Sequence, residues 1–128
     1  MAVRIVRLGT ERAVGEGVRI GTVRRPPRGV PKSEFASGNW YDVWFPNLAP
    51  SPTLVKLARE ANNEREWKSF VKSYRAEMAT ADNARTIDLL AALSQQTNFS
   101  LGCYCADESR CHRSVLRALL AERGATVL

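Results

Sequence analysis

The sequence predicts a single three-layer α/β domain over residues 1–128, with a mainly parallel sheet of about four to five strands flanked by helices. The chain has 128 residues, which is the size of one domain. Short β-type segments occur in the first third and again near residue 100, and helical periodicities lie between and after them. Strands separated by helices favour parallel pairing in a sheet that is covered on both faces.

Four segments have the composition of β-strands. Each is short and rich in apolar or aromatic residues, and prolines soon after the second and third interrupt regular structure. The last segment is almost continuously apolar, as is typical of a strand buried on both faces. The predicted strands are Val3–Leu8, Val18–Val23, Tyr41–Phe45 and Phe99–Cys105, and the tail Ala125–Leu128 can add a short edge strand.

Four helices are predicted from apolar side chains spaced three and four residues apart. Ser51 and Pro52 form a good helix start, with serine as the N-cap and proline at the first helical position. Because glycine stops helices, the last helix is expected to end near Gly124. The other predicted boundaries are Glu64–Met78 for the second helix, a cap at Asp82 for the third, and Arg113–Arg123 for the last.

Positive charge is concentrated at the start of the chain. The formal net charge is +6 at pH 7, and residues 1–32 account for all of it. Two prolines and a glycine make Arg24–Gly29 a stiff basic loop, and the planar fork of arginine suits phosphate or carboxylate groups. A small anionic ligand is therefore predicted. A nucleic acid on the basic segment is the alternative, although no recognised nucleic-acid-binding motif is present.

Two classes of protein are disfavoured by the hydrophobic pattern. No apolar run approaches the roughly 20 residues that a membrane helix needs, so no membrane partner is predicted. Met1–Gly17 contains arginines but no apolar stretch typical of a secretory signal, and a cytoplasmic location is expected. In that compartment the three cysteines are expected to be reduced thiols or metal ligands.

The residues with chemical potential are concentrated in one short segment. Because ligands bind at the carboxyl ends of parallel strands, the loop after the last strand is the predicted site. Cys111 and His112 fall at a helix N-terminus, where free N–H groups favour a thiolate or a bound anion. All three cysteines, the only histidine and two arginines lie within fifteen residues: Cys103, Cys105, Cys111, His112, Arg113 and Arg117.

Anion or nucleotide binding is the first interpretation of this segment. Cys111 and His112 are the candidate catalytic residues, because a thiolate can attack a substrate and an imidazole can carry a proton near neutral pH. Arg113 and Arg117 lie four residues apart, so they share a helix face and can bind an anion together. The candidate ligand-binding residues are Arg28, Lys32, Cys105, Glu108, Arg113 and Arg117.

Two other kinds of chemistry fit the same residues. Cys111 and Arg117 have the Cys-x5-Arg spacing of phosphatase-type loops, which favours thiol chemistry on a phosphate. Cys105, Cys111 and His112 also supply soft ligands for a structural zinc ion, although the first interpretation includes no metal. The sequence identifies no cofactor.

Leu101–Leu116 ends a strand in cysteine, continues with an acid-containing loop, and begins the next helix with Cys-His-Arg. This segment resembles the closing motif of the domain-of-unknown-function 488 family. The stretches Arg28–Lys32, Leu48–Ser51 and Trp67–Met78 are similar to its YeaO-like branch, which usually carries Asp-Arg-Leu-Trp-Pro where this chain has Val23–Pro27. The resemblance spans about residues 18–124 and implies an α/β fold without a settled activity. The positions it marks are Arg28, Lys32, Cys105, Cys111, His112 and Arg113.

Overall fold

Four strands form one sheet in the computed structural model, which describes residues 1–128, and every strand pair is parallel. The strands are β1 (Val3–Arg7), β2 (Val18–Gly21), β3 (Val43–Trp44) and β4 (Phe99–Cys103). Their order across the sheet is β1-β4-β2-β3, so β4 lies between β1 and β2. All of β4 is buried, which confirms the prediction made from its apolar run. The predicted α/β class with a mainly parallel sheet is also confirmed.

One edge of the sheet is the two-residue β3, and the other is the five-residue β1. On one side β3 has two residues, because Tyr41 turns into the protein before the strand and Pro46 begins a 3-10 turn after it. On the other side Val127 forms a parallel bridge with Val3, so the predicted edge strand in the tail is reduced to a single bridge. The sheet therefore has four strands and one additional bridge.

The four helices lie close to where the periodicity predicts them: α1 (Pro52–Glu60), α2 (Glu64–Met78), α3 (Ala81–Leu93) and α4 (His112–Glu122). Ser51 caps α1 through its side chain, as predicted. The predicted cap at Asp82 is wrong, because α3 begins at Ala81 after Thr80 and Asp82 lies inside the first turn. Gly124 follows α4 with a φ of 81°, the left-handed geometry of a helix stop. None of these helices has the length and hydrophobicity needed to cross a bilayer.

One hydrophobic cluster joins all four helices to one face of the sheet. The strands contribute Val3, Phe99 and Leu101, which point to this face because side chains alternate along a strand. Each fully buried large apolar side chain contributes roughly 1.5–3 kcal/mol, so this cluster is the main source of stability. Its helical members are Leu54, Trp67, Phe70, Tyr74, Met78, Ile87, Leu90, Ala91, Val115, Leu116, Leu119 and Leu120.

Loops cover the opposite face of the sheet. Arg19, which alternates with the core-facing residues of β2, is fully buried there. Gly21 and Gly102 lack side chains, and Tyr41 and Leu8 pack so closely on them that a Cβ atom at either glycine would clash. The third layer therefore consists of the loops that follow β1 and β2, where the sequence predicted helices on both faces.

This loop layer contains a buried ion pair. Arg19 Nε lies 2.8 Å from Glu16 Oε2, and Arg19 also donates hydrogen bonds to the carbonyl groups of Thr10 and Asn39. The Ser100 hydroxyl donates to the same carboxylate at 2.7 Å. Burial raises the pKa of Glu16, but the hydrogen bonds from Arg19 and Ser100 outweigh it and lower the pKa to about 2. Both charges are satisfied within the protein, so Arg19 stabilises the fold.

Candidate functional site

The segment singled out in the sequence lies at the carboxyl end of the central strand. β4 ends at Cys103, a loop with a 3-10 turn at Glu108–Arg110 follows, and α4 begins at His112. Cys111 occupies the N-cap position of α4. The parallel sheet therefore brings the strand end and the helix N-terminus together, as the predicted topology requires.

The three thiols lie together but differ in exposure. Cys103 and Cys111 are buried, Cys105 is exposed, and all three are free thiols. The Sγ atoms of Cys103 and Cys105 are 3.8 Å apart. One ligand atom each from Cys103, Cys111 and His112 lies within 4.8 Å of the other two. We refer to Cys103, Cys105, Cys111 and His112 as the Cys–His cluster.

The thiols of this cluster have divergent pKa values. Hydrogen bonds from Cys103 and Cys111 lower the pKa of Cys105 to about 3, with a further contribution from the charge of Arg113. The hydrogen bonds of Cys103 with Cys105 and Cys111 raise the pKa of Cys103 far above its ordinary value. The pKa of Cys111 is lowered, through its hydrogen bonds with Cys103 and with His112. Cys103 is thus the proton donor of the cluster, and Cys105 is the thiol that most readily carries the negative charge.

Arg113 is the cation of this site. Its side chain is buried, Nε donates to Cys111 Sγ at 3.3 Å, and Nη2 donates to the Cys105 carbonyl oxygen at 2.6 Å. No carboxylate pairs with it in the structure. Because a buried guanidinium needs a nearby anion, the thiolate form of Cys111 is the natural counter-ion.

His112 is held in one orientation by Thr22. Its Nε2 lies 2.8 Å from the Thr22 carbonyl oxygen and 3.0 Å from the Thr22 hydroxyl. A carbonyl oxygen only accepts hydrogen bonds, so Nε2 carries the hydrogen. Nδ1 then faces Cys111 Sγ at 3.7 Å, where it can accept the proton of the thiol and, once protonated, donate to the thiolate. The result is a thiol and an imidazole oriented by a third group, an arrangement suited to nucleophilic catalysis.

An open cavity of about 680 Å³ lies next to the loop that carries the cluster. Arg7, Arg25 and Arg28 line it together with Trp40 and Tyr104. Tyr104 lies between the end of β4 and the loop that carries Cys105 and Cys111. Arg7 donates to the Tyr104 carbonyl oxygen at 3.2 Å, and the Tyr104 hydroxyl donates to the Arg25 carbonyl oxygen at 2.7 Å. The guanidinium groups of Arg25 and Arg28 make no hydrogen bond within the protein, so both are free to bind a ligand.

The predicted site residues fall into three places. Those in the Cys–His cluster or in contact with it are Cys105, Cys111, His112 and Arg113, and Arg28 lines the cavity.

Arg117 forms an ion pair with Glu108, with 2.7 Å between Nε and Oε2. Arg113 and Arg117 therefore have different partners and do not converge on one point. Lys32 lies exposed in a 3-10 turn outside the cavity lining.

Sequence reasoning missed Thr22 and Tyr104 as members of the site. Thr22 follows β2 directly and Tyr104 follows β4 directly. The position itself was a usable signal, because the first residue beyond a parallel strand lies at the edge where ligands bind. What the sequence could not show is that Thr22 meets a histidine 90 residues later in the chain.

Much of the N-terminal positive charge is used inside the protein. Arg12 pairs with Asp42 at 2.8 Å, and Arg19 pairs with Glu16. Arg24 donates to the carbonyl oxygens of residues 49 and 50. The basic segment is therefore not one continuous charged surface, and the unpaired arginines of the basic loop lie at the cavity.

Comparison with known proteins identifies the family. Neither the curated proteins nor the solved structures gave a match to this chain. A family model described as the active DUF488-N3 subclade matches residues 3–124. This match confirms the family predicted from the Cys-His-Arg motif, whereas the YeaO-like branch is not confirmed. The chain therefore belongs to the domain-of-unknown-function 488 family.

Proposed function

We propose that this protein binds a small phosphate- or nucleotide-like anion in the arginine-lined cavity and acts on it with the Cys–His cluster. The observation that carries the proposal is the pair of unpartnered guanidinium groups, Arg25 and Arg28, beside a cavity whose wall includes Tyr104, the residue before Cys105. The cavity volume of about 680 Å³ lies within the roughly 300–1,000 Å³ typical of small-molecule sites. Arginine binds phosphate oxygens in a bidentate manner, which fits this lining.

The aromatic residues of the cavity favour a nucleotide over bare phosphate. Trp40 and Tyr104 pack edge to face with their ring centroids 6.0 Å apart. A nucleobase can stack on such an aromatic wall while guanidinium groups bind the phosphate groups. A nucleoside phosphate uses both parts of the lining, whereas inorganic phosphate uses one.

Nucleic acid is the less favoured partner in this proposal. Arg12, Arg19 and Arg24 are occupied by internal partners, which removes much of the basic surface that a nucleic acid would contact. Binding to nucleic acid weakens steeply as salt rises, because counterions are released, whereas a small pocket responds weakly. The three free thiols fit the reducing cytoplasm, where we place the protein in this proposal.

Cys111 and His112 carry the chemistry in this proposal. The available Nδ1 of His112 faces Cys111, Thr22 fixes the imidazole, and Arg113 stabilises the thiolate. Exposed Cys105 links this buried pair to solvent. The description of the matching subclade as active supports an enzymatic role.

Titration with ADP and with inorganic phosphate, followed by calorimetry, tests the proposal. Arg25→Ala and Arg28→Ala should each weaken ADP binding by about ten- to a hundredfold, because a hydrogen bond to a charged group contributes about 1.5–3 kcal/mol. Arg59→Ala is the matched control, since Arg59 is an exposed arginine on α1 outside the cavity lining. Unchanged ADP affinity in both cavity variants, or binding of oligonucleotides alone, contradicts the proposal.

A further inference from the structure

We infer that the Cys–His cluster is a zinc site, held by Cys103, Cys111 and His112, with exposed Cys105 at an exchangeable fourth position. The inference rests on the proposed function and deepens it, because it names the agent that acts on the bound anion. That agent is a metal ion, for which Cys111 and His112 serve as ligands instead of acting as free nucleophile and base. The four residues are the only cysteines and the only histidine of the chain.

The spacing of the ligand atoms matches a tetrahedral zinc ion. With Zn–S at about 2.3 Å and Zn–N at about 2.0–2.1 Å, two sulfur ligands lie about 3.8 Å apart, and a sulfur and a nitrogen about 3.6 Å apart. Cys103 Sγ lies 3.8 Å from Cys105 Sγ, and Cys111 Sγ lies 3.7 Å from His112 Nδ1. Ligand atoms of Cys103, Cys111 and His112 are all within 4.8 Å of one another, so small shifts bring them around one ion.

The hydrogen bonds around the cluster are those of metal ligands. A metal-bound histidine commonly donates its second ring N–H to a carbonyl group, which fixes the tautomer and the ring orientation. His112 makes this contact through Nε2 to the Thr22 carbonyl oxygen at 2.8 Å, and Nδ1 is left facing the thiols. Arg113 donates to Cys111 Sγ from outside the cluster.

Charge balance identifies the fourth position. Zinc with three thiolates and a neutral histidine has a net charge of −1, which the buried guanidinium of Arg113 neutralises. If Cys105 takes up a proton from solvent and leaves the metal, a neutral water in its place leaves Arg113 uncompensated, whereas an anion restores the balance. Since Cys105 is the exposed member of the cluster, it is the ligand that an incoming anion can replace. Three protein ligands and one open position are typical of catalytic zinc.

The first experiment measures metal binding by the wild-type protein after chelator treatment under reducing conditions. The chain should bind zinc with 1:1 stoichiometry, and cobalt in its place should give the intense visible bands of a tetrahedral site with sulfur-to-metal charge transfer. Added zinc should also protect Cys105 from iodoacetamide, because the thiol is a ligand in the resting site. These measurements need no variant to fold. Failure to bind zinc, or an octahedral cobalt spectrum, overturns the inference.

Variants then separate the permanent ligands from the exchangeable one. Cys105→Ser should still bind one zinc, whereas Cys111→Ser should lose more affinity than the roughly 10–100-fold that follows removal of an outer-shell partner. Ser109→Ala is the control, because its side chain lies in the same loop and bonds to Asp107. Equal loss of zinc in Cys105→Ser and Cys111→Ser overturns the exchangeable position.

ADP titration keeps the two proposals separable. A protein that binds ADP through Arg25 and Arg28 but takes up no zinc overturns the zinc inference and leaves the anion site. A protein that takes up zinc but does not bind ADP overturns the proposed function and leaves the metal site.

Discussion

The protein buries two arginines and gives them different partners. Arg19 lies on the loop-covered face of the sheet, where the Glu16 carboxylate and two carbonyl groups surround its guanidinium. Arg113 lies at the start of α4, against the Cys111 thiol and the Cys105 carbonyl, with no carboxylate in contact. Both side chains are excluded from solvent, with relative exposures of 0% and 3%.

The difference between the two arginines is whether the counter-ion is permanent. The carboxylate of Glu16, with its pKa lowered to about 2, is ionised at any neutral pH, so its pair with Arg19 is a fixed part of the fold. A thiol becomes an anion only where its surroundings stabilise the charge, and it can then attack a substrate or bind a metal. Arg113 therefore stabilises a reactive state, whereas Arg19 stabilises a structure.

Breaking the structural pair should have the largest effect. Glu16→Ala leaves the Arg19 charge buried without a partner and should lower the free energy of unfolding by about 3–5 kcal/mol in urea denaturation. Glu11→Ala, at an exposed position of the same loop, is the control. Because the pKa of Glu16 falls from 4.5 to about 2 on folding, its contribution is complete above pH 4.5 and is lost as the pH falls towards 2. An unfolding free energy of Glu16→Ala within about 1 kcal/mol of wild type contradicts this assignment.

Removing the charge at the other arginine should change reactivity more than stability. In chelator-treated protein the lowered pKa of Cys105 should keep its alkylation by iodoacetamide fast as the pH falls from 8 to 6. At lower pH, Arg113→Met should lose this reactivity about one to two pH units above wild type, because an interaction with a charged group contributes about 1.5–3 kcal/mol and its loss raises the pKa of Cys105. Mass spectrometry of the modified peptide measures the rate, and Arg113→Lys, which keeps the charge, should retain most of it. The same pH dependence in wild type and Arg113→Met shows that the thiolate does not depend on Arg113.

The smallest effect is expected at an arginine that is neither fully buried nor beside a thiol. Arg117 pairs with Glu108 on the surface, so Arg117→Ala should change the free energy of unfolding by about 1 kcal/mol or less. ADP affinity should stay at the wild-type value, because Arg117 lies outside the cavity lining. A tenfold loss of affinity in the same titration places Arg117 in the binding site, as its sequence position beside Arg113 first indicated.

The contrast between Arg113 and Arg117 shows how far the sequence alone could predict the site. Local sequence rules predicted the bounds of α2 and the serine cap of α1. They also placed the Cys-His-Arg loop after a strand end. The two arginines have the same residue type and lie on the same helix, four residues apart. Which one meets the thiols and which one meets Glu108 depends on how α4 sits on the sheet. That placement is a tertiary property without a local signal, and the contact between His112 and Thr22 is another example.

The short β3 and the bridge at Val127 have a consequence for how this sheet meets other chains. A free strand edge presents a row of unpaired backbone groups that can recruit a strand from another molecule and start aggregation. Here one edge is two residues long and soon followed by Pro46, and at the other edge the bridge between Val127 and Val3 covers only the first residue of β1. The β3 edge therefore offers almost no template, and a foreign strand could extend this sheet only along the part of β1 beyond Val3.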